Sequence, residues 1–146
     1  MNYFAYGSNM DLGQMAVRCP DAEIVGVATL SGHQFRINTH GVATVVPAKR
    51  SVVHGVLWKI SLADEASLDR YEGVKSGFYR KSMECVHLSD GTKGDALIYL
   101  ATDGRPGRAR PGYLERVLAA AEDNRLPDDY IAMLRTRWES SMPLVD

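Results

Sequence analysis

The N-terminal run Tyr3-Phe4-Ala5-Tyr6-Gly7-Ser8-Asn9-Met10 constrains this chain more than any other segment. Aromatic β-formers open a strand, and three small residues then break it at once. Asp11 follows as an N-cap, and Leu12, Met15 and Ala16 carry a short helix that stops before Pro20. A strand passing into a helix through Gly7, Ser8 and Asn9 leaves main-chain N–H groups uncovered by side chains. Such amides form a concavity suited to a carboxylate or a phosphate.

The rest of the chain is strand-rich with one inserted helix. Residues 23–37 read as two strands separated by Ser31-Gly32, residues 42–46 as a short strand ended by Pro47, and residues 52–60 as a longer one with Gly55 and Trp58. Ser61 with Asp64 three residues on has capping-box form and opens a helix through Leu62, Leu68 and Tyr71 that Gly73 ends. Residues 79–88 alternate into a strand, Ser89-Asp90-Gly91-Thr92 turns the chain, and residues 96–101 run back as its hairpin partner. A Gly/Pro/Arg loop over 103–112 leads to helical spacing over 113–124 and 128–139, with Pro127 before the second. These elements predict an α+β fold built on a small closed or half-closed β-barrel flanked by helices.

A length of 146 residues with 45% hydrophobic content suits one core, so residues 1–146 read as a single domain. The net charge of −1 and a pI near 6.4 give no electrostatic footprint for nucleic acid or an anionic membrane, which points to small-molecule partners. Cys19 and Cys85 form no CxxC pair and read as small buried hydrophobes in a reducing compartment. No apolar run approaches bilayer length and no secretion leader is recognisable, so a soluble cytoplasmic protein is expected. The oligomeric state stays open.

Among residues that bear chemistry, Glu72 stands out. It falls in the last turn of a helix, where the macrodipole disfavours an anion by a few tenths to about 1 kcal/mol. Either the dipole and burial beside Tyr71, Phe78 or Tyr79 raise its proton affinity for use as a shuttle, or it is a solvated carboxylate paired with Lys75 or Arg80. Ser8 follows a glycine but lacks a Gly-x-Ser-x-Gly elbow and a marked histidine base. His33, His40, His54 and His87 show no paired metal spacing and read as structural or surface residues. Arg105, Arg108 and Arg110 either clamp a substrate carboxylate or belong to a solvated, mobile loop.

The segments Tyr6-Gly7-Ser8-Asn9-Met10 and Glu72-Gly73-Val74-Lys75-Ser76-Gly77-Phe78-Tyr79 resemble the two signatures of the γ-glutamylcyclotransferase family. The similarity runs through Gly41-Val42-Ala43-Thr44 and Gly55-Val56-Leu57-Trp58-Lys59 to Tyr99 and Tyr113. The resemblance implies a small mixed-strand barrel flanked by helices. It also implies an enzyme without metal or cofactor, acting on a small γ-glutamyl substrate whose own α-amine attacks its γ-amide carbonyl and releases 5-oxoproline and an amine.

Carried over residue by residue, it implies Glu72 as general base and then acid. The amides of Gly7, Ser8 and Asn9 would hold the substrate α-carboxylate beside Tyr6, and Tyr79, Tyr99 and Tyr113 would line the pocket. For these tyrosines, ordinary core or strand packing is the competing reading. Removal of a γ-glutamyl protecting group by the same chemistry, and a non-catalytic sensor of a γ-glutamyl or other carboxylate metabolite, are the alternative functions.

Overall fold

A computed structural model describes residues 1–141 of the chain. Five strands, β1 (Asn2–Ala5), β2 (Glu23–Ile37), β3 (Ala43–Lys59), β4 (Tyr79–Leu88) and β5 (Lys93–Ala101), close into a barrel in the order β1-β3-β2-β4-β5. Every pairing is antiparallel except β1 with β5, which meet in parallel at Tyr3 and Leu97, so the barrel is mixed. Four helices flank it: α1 (Leu12–Arg18), α2 (Leu62–Tyr71), α3 (Tyr113–Asp123) and α4 (Asp128–Ser141). None of the helices in the described residues is long and apolar enough to cross a membrane.

The strands differ from expectation at two places, for one reason. Residues 23–37 form one strand rather than two, and the stretches read at 42–46 and 52–60 join into a single strand, β3, bounded by Ala43 and Lys59. At Ser31/His33 the β2–β3 register shifts, Gly32 takes φ +74°, and Arg50 on the facing strand takes φ +66°. Between the pairs Ser31–Val52 and His33–Pro47 one residue of β2 faces four of β3, an irregularity that interrupts the ladder without ending either strand. Pro47 pairs with His33 beside this irregularity and so does not end its strand. Strand β5 starts three residues earlier than read, at Lys93, and α4 continues to Ser141.

Local signals account well for the helices. Asp11 accepts a hydrogen bond from the Gln14 amide at 3.0 Å and caps α1. Ser61 and Asp64 form both halves of the capping box on α2. On α3, the buried residues Leu114, Val117, Leu118 and Ala121 follow helical spacing and face inward. Asn124, its C-cap, donates from Nδ2 to the Met10 carbonyl at 2.9 Å and so ties α3 to the turn after β1.

The buried core gathers Phe4, Phe35, Val53, Val56, Leu57, Val86 and Ile98 from the strands together with Met10, Met15, Leu68, Leu114 and Leu134 from the turn and the helices. Cys19 is buried in it, but Cys85 on β4 is exposed, contrary to expectation, because its side chain falls on the outer face of the strand.

The Arg-rich loop is solvated, with Arg105, Arg108 and Arg110 exposed, yet its backbone is held in place. Asn38 and Pro106 form an isolated bridge, Gly107 donates to the Ile37 carbonyl at 2.8 Å, and Arg110 donates from its amide to Gly41 at 3.0 Å. Asn38 Nδ2 and Arg36 Nη1 reach the carbonyls of Asp103 and Gly104. Residues 103–110 therefore lie across the tip of the β2–β3 hairpin, a contact that local composition does not disclose.

Candidate active site

The turn that breaks β1 is a single 3-10 turn, Ser8–Met10, closed by Met10 N–H to the Gly7 carbonyl at 3.1 Å and Asp11 N–H to the Ser8 carbonyl at 3.0 Å. Gly7 is favoured here by close approach, since a Cβ would stand 3.0 Å from the Tyr113 hydroxyl and 3.3 Å from the Ala43 Cβ and would press on both. That hydroxyl accepts the Ala43 amide at 3.1 Å and also faces Ser8.

Glu72 is the C-cap of α2. Gly73 follows at φ +63°, and its amide reaches the Arg70 carbonyl at 3.2 Å while the Val74 amide reaches Asp69 at 3.1 Å. This is a Schellman closure, in which glycine supplies the left-handed residue. It turns the chain sharply after Glu72 and leaves the carboxyl facing the turn at residues 8–10.

The two signature segments thus meet. Asn9 donates from Nδ2 to Glu72 Oε1 at 3.3 Å and to the Tyr3 hydroxyl at 2.9 Å, while its Oδ1 accepts Gln14 Nε2 at 2.8 Å and Arg18 Nη1 at 3.0 Å. Gln14 Nε2 also donates to the Ser8 hydroxyl at 2.8 Å. Among the described residues no ion pair joins Glu72 to Lys75 or Arg80. Burial pushes the Glu72 carboxyl up to about 7, and the Arg18 charge opposes the rise.

A cavity of about 390 Å³, a size that suits a small metabolite, lies between these elements. Tyr6, Gly7, Ser8, Asn9, Glu72, Tyr79, Tyr99 and Tyr113 all line it. Three of the tyrosine hydroxyls already donate within the protein: Tyr6 to the Tyr99 carbonyl, Tyr79 to the Ala43 carbonyl at 2.6 Å, and Tyr99 to Asp69 Oδ1 at 2.7 Å. Burial holds these three phenols well above the ordinary range and raises that of Tyr113, so they stay neutral. Tyr79 and Tyr99 therefore shape the wall and keep acceptor capacity, while their protons are engaged elsewhere.

Sequence reasoning missed part of the lining. Tyr3, Gln14, Arg18 and His40 line the cavity without having been assigned to it, and Phe78 and Arg110, both singled out above, join them. Gln14 and Arg18 stand four residues apart on one face of α1, a polar stripe that could have flagged them. His40 and Arg110 arrive only through the packing of the 103–110 loop on the hairpin tip, where Arg110 Nε donates to the His40 carbonyl at 2.8 Å. Of the three loop arginines named from sequence, Arg110 lines the cavity, whereas Arg105 turns to the Asp103 carboxylate at 2.9 Å.

Comparison with known proteins gives a consistent picture. The AIG2-like family matches residues 52–134. The gamma-glutamylcyclotransferase of Homo sapiens is 31% identical over 143 residues, covering 91% of this chain and 76% of that protein, and the Mus musculus protein of the same name is 30% identical with the same coverage. A solved structure described as gamma-glutamyl cyclotransferase superposes with a TM-score of 0.86 at 30% identity, over 92% of this chain and 86% of that one.

Proposed function

Given that the chain belongs to the γ-glutamylcyclotransferase family of enzymes, through its AIG2-like segment, we propose that it cyclises a γ-glutamyl amide with Glu72 as the proton carrier. The α-amine of the substrate attacks its own γ-carbonyl carbon, a five-membered ring closes, and the bond from that carbon to the leaving nitrogen breaks. Products are 5-oxoproline and the free amine. The nucleophile and electrophile arrive covalently linked, so much of the entropic barrier is already removed.

What the protein must supply is orientation and one mobile proton. The substrate α-carboxylate lies against the amides of Gly7, Ser8 and Asn9, with the Tyr113 hydroxyl beside Ser8. This places the neighbouring ammonium toward Glu72. The carboxylate takes a proton from the ammonium, which frees the amine to attack, and returns that proton to the departing nitrogen; the attacking nitrogen loses its second proton to solvent and the released amine takes one from solvent. A proton affinity near 7 suits both halves of that exchange, because neither transfer is strongly uphill. Tyr79 and Tyr99 line the walls as neutral phenols.

The observation that carries this reading is the half-buried Glu72 carboxyl, which receives one neutral donor at 3.3 Å in the same cavity as the turn Ser8–Met10. The test is to incubate the protein with γ-glutamyl amino acids, γ-glutamyl-ε-lysine and glutathione, and to quantify 5-oxoproline by mass spectrometry beside Glu72→Gln. Release by the wild type that Glu72→Gln lacks is expected. Equal rates from the two proteins would reject the role of Glu72, and saturable binding without product over hours would make the protein a sensor.

A further inference from the structure

We infer that Arg18 is a positioning residue for Glu72, acting through the side chain of Asn9; the inference rests on the proton-transfer role of Glu72 proposed above. An asparagine amide presents an acceptor oxygen at one end and a two-proton donor at the other. Arg18 Nη1 and Gln14 Nε2 both donate to Asn9 Oδ1, at 3.0 and 2.8 Å. Two donors on the oxygen forbid the flipped amide, which would bring NH₂ against them. The Nδ2 end must then face the opposite way, toward Tyr3 and Glu72. With 4% of its surface exposed, Asn9 has no solvent to rescue a wrong orientation.

Arg18 is itself fixed against the helix that ends in Glu72. Its guanidinium lies over the Tyr71 ring at 4.3 Å, and its carbonyl accepts the Ser67 hydroxyl at 2.6 Å. The last residue of α1 thus grips the last two turns of α2 and orients the donor that meets the carboxyl. A positive charge is held one hydrogen-bonded side chain away from Glu72, where it favours the ionised form that burial disfavours.

The other groups around Glu72 act differently. Tyr3 from β1, Tyr6 just beyond it, Tyr79 from β4 and Tyr113 from α3 face it as neutral phenols. Arg110, Arg116 and His40 line the same cavity at exposed positions, and none of them bonds to Asn9 or Glu72 among the described residues. Arg18 is therefore the cation that the Asn9 amide connects to the carboxyl.

The test follows the Glu72 carboxyl by 13C NMR in the free protein, and the pH dependence of kcat/KM, for the wild type and for Arg18→Gln, Arg18→Met and Arg18→Lys. Gln and Met remove the charge, and Met keeps the apolar stem, so one of them serves if the other fails to fold. Both the carboxyl titration and the acid limb of kcat/KM should move to higher pH by more than about 0.5 unit in the neutral variants, and Arg18→Lys should recover most of the shift. A higher KM with the titration unmoved would overturn the inference and make Arg18 a direct substrate contact. The NMR titration needs no turnover, so a protein inactive on every γ-glutamyl compound would reject the proposed activity while the effect of Arg18 on Glu72 stayed measurable.

Discussion

Near the end of helix α2, Asp69 and the C-cap residue Glu72 are carboxylates three residues apart in opposite surroundings. Asp69 accepts the Tyr99 hydroxyl at 2.7 Å and the Lys81 ammonium at 3.1 Å, and Lys81 also pairs with Glu65. Glu72 faces the cavity and receives Asn9 Nδ2 at 3.3 Å. A carboxylate with a cation and a phenol bonded to it is tied into the fold and does structural work. One surrounded by neutral phenols, with its nearest cation displaced behind an amide, stays close to the point where it exchanges a proton. Two residues of like chemistry at one helix end are thus given different tasks by what packs against them.

The sharpest way to break this contrast is to neutralise each carboxyl in turn. Glu72→Gln, which keeps the shape and the acceptor for Asn9, should lower kcat by about 10²- to 10⁴-fold, while Asp69→Asn should lower it by less than about tenfold. Steady-state kinetics on one γ-glutamyl substrate compare them directly, and equal losses would remove the distinction.

Stability should move the other way. The folded Glu72 carboxyl holds its proton to about pH 7, whereas the unfolded chain releases it near the ordinary value of 4.5. The folded state therefore binds more protons across this window, and the contribution present below about pH 4.5 is lost as pH rises through about 7. Glu72→Gln escapes this loss, which amounts to roughly 3 kcal/mol at most. Thermal melts should show a higher Tm than wild type at pH 8 and little difference at pH 4. A variant no more stable than wild type at pH 8 would mean that Glu72 is ordinarily solvated.

Gly73→Ala tests the turn that aims Glu72. An alanine at φ +63° costs about 1 kcal/mol, and its Cβ would meet Phe78 Cδ2 at 3.0 Å. A lower Tm with reduced kcat is expected, and an unchanged melt would show that the cap tolerates a side chain. The smallest effect belongs to the outer network: Lys81→Ala should cost less than about 1 kcal/mol and lose even that at high salt, because the pair is partly solvated. A larger loss, measured by denaturant titration, would show that the Asp69 side of α2 contributes more than a surface ion pair.

Much of the fold was legible because its signals are local. The Ser61 and Asp64 capping box, the Asp11 cap, the glycine after Glu72 and the hairpin turn at residues 89–92 each act within a few residues of themselves. The length of β2 and β3 was not legible, because Ser31-Gly32 and Pro47 stop strands in most settings and become an irregularity within one only when a facing strand continues the ladder. The loop at residues 103–112 reads as mobile from its glycines and prolines, yet bonds to Ile37, Asn38 and Gly41 pin it to a hairpin some 65 residues earlier.

The same divide runs through the candidate site. The chain order alone set the strand that breaks at Gly7, the helix that ends at Glu72 and the residue types that meet there, since each depends on neighbouring residues and backbone preference. Only the closed barrel decided that Asn9 would point its side chain at Glu72 rather than offer an amide alone, that Tyr79 and Tyr99 would spend their protons on Ala43 and Asp69, and that Arg18 would stand behind Asn9. These outcomes join residues distant in the chain. Which donor meets which acceptor in a buried cluster is settled by mutual exclusion among all of them, and no single segment contains that information.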